Sequence, residues 1–323
     1  MTIALSLAAL VAGLFLLEAG ADRFTDAIGV LARRLHASEN VVGLLTAGGE
    51  WEELLVVMLA IASGHPGLAV GNVIGSCLAN LIGSMPLGFL GPRPLVPDRS
   101  ARIYAAVMLL VTGLAAVFLI DGRVEPLAGG VLVAVFIGYV VSVLLVLKRG
   151  WLRPLMDLDE EADDEEAAAV PAALPRLIGV VALSLAVVAG GAELVVLGAV
   201  EIARRVGLSD YAIGATVVAV GTTLPDKAIS FIGGRRGQGG VVTANATGSN
   251  IFVLTLVLGL AALFSRGGLA VAPDVVRVDL PLLLAASVLI VLLFRRPALH
   301  RRTGWFLLAL YVAYVAYALL RGA

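Results

Sequence analysis

Charged residues, cysteine and histidine are scarce in this chain of 323 residues. Asp, Glu, Lys and Arg make up only 15 per cent of it, against about 25 per cent in soluble domains, and the formal net charge is −1. A balance so near zero provides no basic surface for nucleic acid. The single cysteine, Cys77, excludes an internal disulfide framework, and it forms no zinc-spaced cluster with the three histidines. No nucleophile–base set and no phosphate-binding loop is found, so an enzyme is not predicted.

Apolar residues dominate instead, at 60 per cent of the chain, which predicts a polytopic all-α membrane protein in a lipid bilayer. Runs of about 17–25 such residues are long enough to cross a bilayer as helices. We place ten, at residues 3–21, 40–63, 68–91, 101–120, 126–147, 176–200, 209–232, 242–264, 279–294 and 303–320. We interpret the first as a retained helix and not as a signal peptide, because it lacks a basic segment and a cleavage site.

An acidic segment divides the chain into two groups of five helices. We assign residues 1–147 to a first repeat, 148–175 to a linker and 176–323 to a second repeat. The composition of the segment is typical of a solvated linker. A cation-sensing segment is the alternative, although the ligand spacing of an EF-hand is missing.

The two halves resemble each other in sequence. Gly20-Ala21-Asp22 matches Gly191-Ala192-Glu193, and the spacing to the next Arg pair is the same in both halves. Because five is odd, the second half must enter the membrane from the opposite side. The pattern therefore predicts an inverted repeat with its substrate near the midplane.

Basic residues predict the orientation of the chain. With the N-terminus placed outside, sixteen Lys and Arg residues fall on the cytoplasmic side and six on the outer side. We therefore expect both termini outside and the acidic linker in the cytoplasm, in an inner membrane of prokaryotic type.

Each half carries an acid at membrane depth within a related stretch. The corresponding residues are Glu53, Gly71-Asn72 and Gly75-Ser76 in the first half and Asp226, Ala244-Asn245 and Gly248-Ser249 in the second. A carboxylate in hydrocarbon is costly, so it normally faces the interior of the bundle, a cavity or a partner. Two carboxylates that meet between related halves offer hard oxygen ligands, which suit calcium or sodium.

The residues before each acid differ between the copies. In the second copy Gly221-Thr222-Thr223-Leu224-Pro225 precedes Asp226, and the proline frees a carbonyl about one turn earlier. In the first copy the segment is Gly48-Gly49-Glu50-Trp51-Glu52-Glu53, which has no proline and two additional acids.

With these two copies the chain resembles the cation/calcium antiporter superfamily, whose best-known members are sodium/calcium exchangers. GTTLPD followed by NATGSN is similar to the second alpha repeat of that family, whereas the first copy departs from Gly-Thr-Ser-x-Pro-Glu. Gly75-Ser76-x-x-x-Asn80 is similar to the proton-coupled branch. The resemblance implies an exchanger-like fold and an antiporter without a cofactor, which moves Ca2+, Na+ or H+ by alternating access.

The resemblance also implies a cation site, with Glu53 and Asp226 as its central carboxylates. Neutral oxygens would come from Ser76, Asn80, Thr222, Thr223 and Ser249. We add Glu50, which shares a helix face with Glu53, and expect Glu52 to point away from that face. Val253 takes the place of Asn80 in the second repeat, so a polar ligand is missing there.

Lys227 is a basic residue near the middle of a spanning helix. On a helix it points about 100° away from its neighbour Asp226, so Glu50 and Glu52 are the candidates for its partner. Our hypothesis is that its ammonium occupies the place of one transported cation.

Three functions follow from these residues. The leading one is exchange of Ca2+ for Na+ or H+. The runner-up is a monovalent cation (Na+ or K+)/proton antiporter, which Lys227 and the missing Thr and Ser of the first repeat favour. A non-transporting sensor or scaffold that retains the fold is the alternative of another class. The oligomeric state is not predicted.

Overall fold

The computed structural model describes residues 2–34, 50–148 and 174–322. The predicted acidic linker lies almost wholly outside them. The α-helical segments are α1 (Ile3–Arg34), α2 (Trp51–Ala62), α3 (Pro66–Leu78), α4 (Met85–Gly88), α5 (Arg99–Leu119), α6 (Pro126–Lys148), α7 (Leu174–Val206), α8 (Asp210–Ile213), α9 (Ala219–Thr222), α10 (Leu224–Arg236), α11 (Gly239–Phe252), α12 (Leu258–Phe264), α13 (Leu280–Leu293) and α14 (Arg301–Gly322). Strands β1 (Arg123–Val124) and β2 (Leu269–Ala270) pair antiparallel, with Arg123 opposite Ala270.

π-helical turns interrupt several of these helices. Turns at Ala79–Ser84 and Val253–Val257 join α3 to α4 and α11 to α12, at corresponding places in the two halves. Further turns lie at Gly214–Val218, between α8 and α9, and at Val275–Asp279, before α13. Such turns are rare and occur frequently at functional sites. Asn80 and its counterpart Val253 lie in the first two.

Eight helices in the described ranges are long and apolar enough to cross a membrane. They correspond to all the predicted helices except 40–63 and 209–232, so the predicted number of ten is not established. The first of these exceptions is described only from Glu50 onward, and the second breaks at Thr223 between α9 and α10. The two exceptions are the segments that carry the repeated acids.

The long helices α1 and α7 pack against each other at glycine residues. A Cβ atom added to Gly13 would lie 2.8 Å from the Gly191 carbonyl oxygen, and one on Gly198 would lie 2.7 Å from that of Ser6. Small residues at such positions let two backbones approach closely. Gly20, the counterpart of Gly191, lies in the same contact, where an added Cβ would be 2.7 Å from Val188 Cγ2.

Glycine residues also join the first half to the second in the core. A Cβ atom on Gly71 or Gly75 of α3 would lie 2.4 Å from the backbone oxygen of Tyr211 or Ala215, respectively. In the opposite direction, a Cβ on Gly214 would lie 2.5 Å from the Leu68 oxygen. The helix that carries Ser76 therefore crosses the segment before the helix break at backbone distance.

Candidate cation site

Glu53 and Asp226 occupy the same place in their helices. Each is the third residue, of α2 and α10 respectively, and each is buried, at 0 and 4 per cent exposure. The unpaired backbone N–H groups of a first helical turn favour negative charge, by up to about 2 kcal/mol in partly buried settings. Both acids are therefore placed where the backbone itself offsets part of their charge.

The Asp226 carboxylate is held on one side. Its Oδ1 accepts a hydrogen bond from Asn245 Nδ2 at 2.7 Å and a long one from Ser249 Oγ at 3.5 Å. Its Oδ2 is buried and has no hydrogen-bond partner among the described residues. One oxygen is thus fixed by α11, and the other is left for a ligand.

The Glu53 carboxylate has no hydrogen-bond partner at either oxygen within the described ranges. The side chains of Asn72, Ser76 and Asn80 on the next helix are also completely buried and also lack partners there. A buried polar group without a partner costs about 1–3 kcal/mol. Carboxylate, amide and hydroxyl oxygens are the ligands of hard cations such as Ca2+, so this set fits a cation site.

Three acids lie together at the start of α2. Carboxylate oxygens of Glu50, Glu52 and Glu53 lie within 4.8 Å of one another, and Glu50 is only 6 per cent exposed. The expectation that Glu52 points away from the other two was wrong. Glu50 is the N-cap residue, with φ −81° and ψ 65°, so the angular spacing of a helix does not apply to it. Like charges at this separation repel, and a bound cation relieves the repulsion.

Glu50 corresponds in position to Thr223, since each precedes the central acid of its half by three residues. The Thr223 hydroxyl donates to the Ala219 carbonyl at 2.6 Å, and that of Thr222 donates to the Val218 carbonyl at 3.2 Å. Because each hydroxyl hydrogen is used in this way, the oxygen lone pairs remain as acceptors.

The Lys227 side chain folds back onto the helix break. Its Nζ donates to the backbone oxygens of Val220 and Thr223, each at 3.2 Å, and to Thr223 Oγ1. No carboxylate of the described residues lies within ion-pair distance of it, so neither predicted candidate, Glu50 or Glu52, pairs with it. Its partners are instead the carbonyl oxygens that the helix break leaves free.

Sequence reasoning missed the asparagines as supporting residues of the site. Asn245 holds Asp226, and Asn72 stands at the same spacing after Glu53. The signal was present in the repeated motif, where an Asn follows each acid by nineteen residues.

Comparison with known proteins agrees with this geometry. The sodium/calcium exchanger protein family matches residues 5–145 and 176–320. An uncharacterized membrane protein of Methanocaldococcus jannaschii is 31% identical over 307 residues, which are 94% of this chain and 95% of that protein. The sodium/calcium exchanger MaX1 of Methanosarcina acetivorans is 28% identical over 341 residues, which are 95% of this chain and 96% of that protein.

A solved structure resembles the fold as well. The sodium-calcium exchanger NCX_Mj, soaked with Na+ and Sr2+, superposes with a TM-score of 0.64 at 29% identity, over 98% of this chain and 99% of that chain. These matches extend over both halves of the sequence and include both copies of the motif. The chain is an integral membrane protein that belongs to the sodium/calcium exchanger family, a family of transporters and not of enzymes.

Proposed function

We propose that this protein exchanges Ca2+ for Na+ or H+ at a midplane site centred on Glu53 and Asp226. One observation carries the proposal. Each acid is the third residue of its helix, both are buried, and each has a carboxylate oxygen without a hydrogen-bond partner among the described residues. Repeated acids of this kind at the interface of two halves are typical of ion pathways in transporters.

Neutral ligands surround the two carboxylates in this proposal. They are Ser76 and Asn80 from α3 and the turn after it, Thr222 and Thr223 at the helix break, and Ser249 on α11. Ca2+ takes six to eight oxygens, and Glu50 adds a third carboxylate to the set. Val253 replaces Asn80 in the second half, so the site is richer in ligands on the side of the first half.

Exchange follows from competition for the same oxygens. Glu53 and Asp226 bind either Ca2+ or the coupling ions, and the empty site crosses rarely because uncompensated buried carboxylates are costly. Access alternates when α1 and α7 slide across the core. Leu14, Leu17 and Glu18 of α1 border the same small space as Glu52, Gly221 and Thr222, which supports a role for α1 in access.

We also propose that residues 1–147 and 176–323 form inverted repeats in an inner membrane of prokaryotic type. Both termini lie outside, and the linker at 148–175 is cytoplasmic. The excess of Lys and Arg on one side supports this orientation.

A monovalent cation/proton antiporter is the second candidate. Lys227 already places one positive charge at the helix break, and the first repeat has Gly49 and Glu50 where the family pattern has Thr and Ser. Both features reduce the neutral oxygens available to a divalent ion.

Calcium flux in proteoliposomes tests the proposal. Purified full-length protein is reconstituted into proteoliposomes that are loaded with labelled Ca2+. Sodium and proton gradients are then imposed separately. We expect at least one gradient to drive Ca2+ movement. Glu53→Gln should reduce that flux by more than the roughly 10–100-fold that loss of a supporting group costs a metal site. Glu125→Gln, which alters an exposed acid before α6, should leave the flux unchanged.

Three other results of this flux assay would lead to different conclusions. Ca2+ movement under neither gradient would contradict the proposal. Sodium-driven proton flux without Ca2+ movement would favour the second candidate. Ca2+ binding without any flux would indicate a sensor that retains the exchanger fold.

A further inference from the structure

The Lys227 ammonium is bound in the manner of a small cation. It is surrounded by the carbonyl oxygens of Val220 and Thr223 and by the Thr223 hydroxyl oxygen. An ammonium has three N–H donors, and these three acceptors use all of them. Carbonyl and hydroxyl oxygens are also the neutral ligands that hard cations take in proteins.

The positive charge of Lys227 also acts on the acids of the site without contacting them. Lys227 directly follows Asp226 in α10, so its charge lies near that carboxylate although its hydrogen bonds go to the helix break. It therefore offsets negative charge at the centre of the site from a fixed position, as a bound monovalent ion would.

The two halves differ in the charge of their residues at corresponding positions. The first half has Glu50 where the second has Thr223, and it has Leu54 where the second has Lys227. The first half thus has two additional acids, Glu50 and Glu52, and the second half has an additional base, which supplies the charge that one more bound cation would bring.

We propose that Lys227 is a tethered cation that permanently fills one monovalent-ion position, so that one fewer coupling ion moves per Ca2+ than would move without it. This inference rests on the proposed function. A residue that only braced the break by binding Val220 and Thr223 would affect stability without affecting the number of ions.

The coupling ratio tests the inference. Full-length protein is reconstituted, the membrane potential is clamped, and the Ca2+ gradient that stops net flux is measured against a series of gradients of the coupling ion. The slope of the logarithm of one gradient against that of the other is the number of coupling ions per Ca2+. For Lys227→Met we expect this slope to rise by one, and the charge moved per cycle to rise by one.

Lys227→Arg is the matched control, because it retains the positive charge and the slope should stay at the wild-type value. An unchanged slope in Lys227→Met, with Ca2+ flux intact, would overturn the inference and leave the proposed function standing. Absence of driven Ca2+ flux in the wild-type protein would overturn both.

A binding measurement decides the matter where a variant folds but does not transport. Labelled Ca2+ bound to purified protein is displaced by the coupling ion, and the Hill coefficient of displacement should rise by one when Lys227 is replaced by Met. Lys227→Gln serves where the Met variant does not fold. An equal Hill coefficient in wild type and variant would overturn the inference.

Discussion

Asn245 is the residue that fixes the orientation of a central acid. Its Nδ2 donates to Asp226 Oδ1, so the other carboxylate oxygen is turned toward the site. Hydrogen bonds to a charged group are worth about 1.5–3 kcal/mol. In the proposed site, the amide therefore acts on the cation through the carboxylate that it holds.

We expect Asn245→Ala to weaken Ca2+ binding by about 10–100-fold, because outer-shell partners of metal ligands typically contribute that much. Equilibrium binding of labelled Ca2+ measures the effect. Thr247→Val is the matched control on the same helix, since its buried hydroxyl bonds only to the backbone oxygens of Thr243 and Ala244. Equal Ca2+ affinities in the two variants would contradict the role of Asn245.

At the scale of residues, the sequence was sufficient to predict that Glu53 and Asp226 hold corresponding positions, because the repeat gives both the acids and their spacing. It was not sufficient for Glu52 or for the contacts of Lys227. Both depend on where a helix begins or breaks, and a helical projection assumes that the helix is continuous. Glu50 is the N-cap residue of α2 and the helix breaks at Thr223, so side-chain directions and free carbonyl oxygens there depart from the projection.

Among the helices, the glycine-lined crossing of α3 with the segment after α8 fixes the position of the site. The three atoms nearest to a Cβ on Gly75 are backbone atoms of Ala215, which cannot move aside as a side chain can. A larger residue there must separate two helices that come from different halves.

We therefore expect Gly75→Ala to destabilise the protein by about 1–3 kcal/mol, the usual cost of overpacking. Thermal unfolding in detergent detects the loss. Gly113→Ala on α5 is the control, because nothing lies within 4 Å of the added Cβ. Its stability should stay the same or rise, since Ala favours a helix more than Gly does. If the Gly75→Ala protein unfolded at the same temperature as the Gly113→Ala protein, the crossing would have room for the added methyl group and the prediction would be contradicted.

Helix existence could be predicted from apolar runs, but helix interruptions could not. Eight predicted spans are present as helices that could cross a membrane, with ends that differ by several residues, as for α1, which continues to Arg34. The π-helical turns were not predicted, because one additional residue in a turn scarcely changes an apolar pattern. Packing against neighbouring helices determines where such a turn lies.

On the side that we propose to be external, polar contacts join the two halves and brace the second half. His65, before α3, binds Asp210 at the start of α8, with 2.7 Å between Nδ1 and Oδ2. Arg321 near the end of α14 binds the buried Asp279 at 2.6 Å, and its guanidinium lies over the Tyr211 ring. The proposed orientation puts all of these contacts at one membrane face.

Cysteine labelling tests this orientation. In a Cys77→Ala background we expect Asp121→Cys to react with a membrane-impermeant maleimide added to intact cells. Arg236→Cys should react only after the membrane is opened, because the intervening spans place it on the cytoplasmic side. Both positions are exposed, so access to the reagent and not burial decides the result. The opposite pattern would reverse the proposed topology.

The glycine contact between α1 and α7 has a consequence for the speed of transport. Where backbones meet directly, few side chains stand between the two helices, so α1 and α7 can shift across the core as one unit. Bulky side chains at Gly13 or Gly198 would push α1 and α7 apart, because an added Cβ already lies within 3 Å of the opposite backbone, and neither helix carries a proposed cation ligand. Turnover and its temperature dependence would then change without a change in ion affinity, so the rate and the selectivity of this exchanger are adjustable through separate sets of residues.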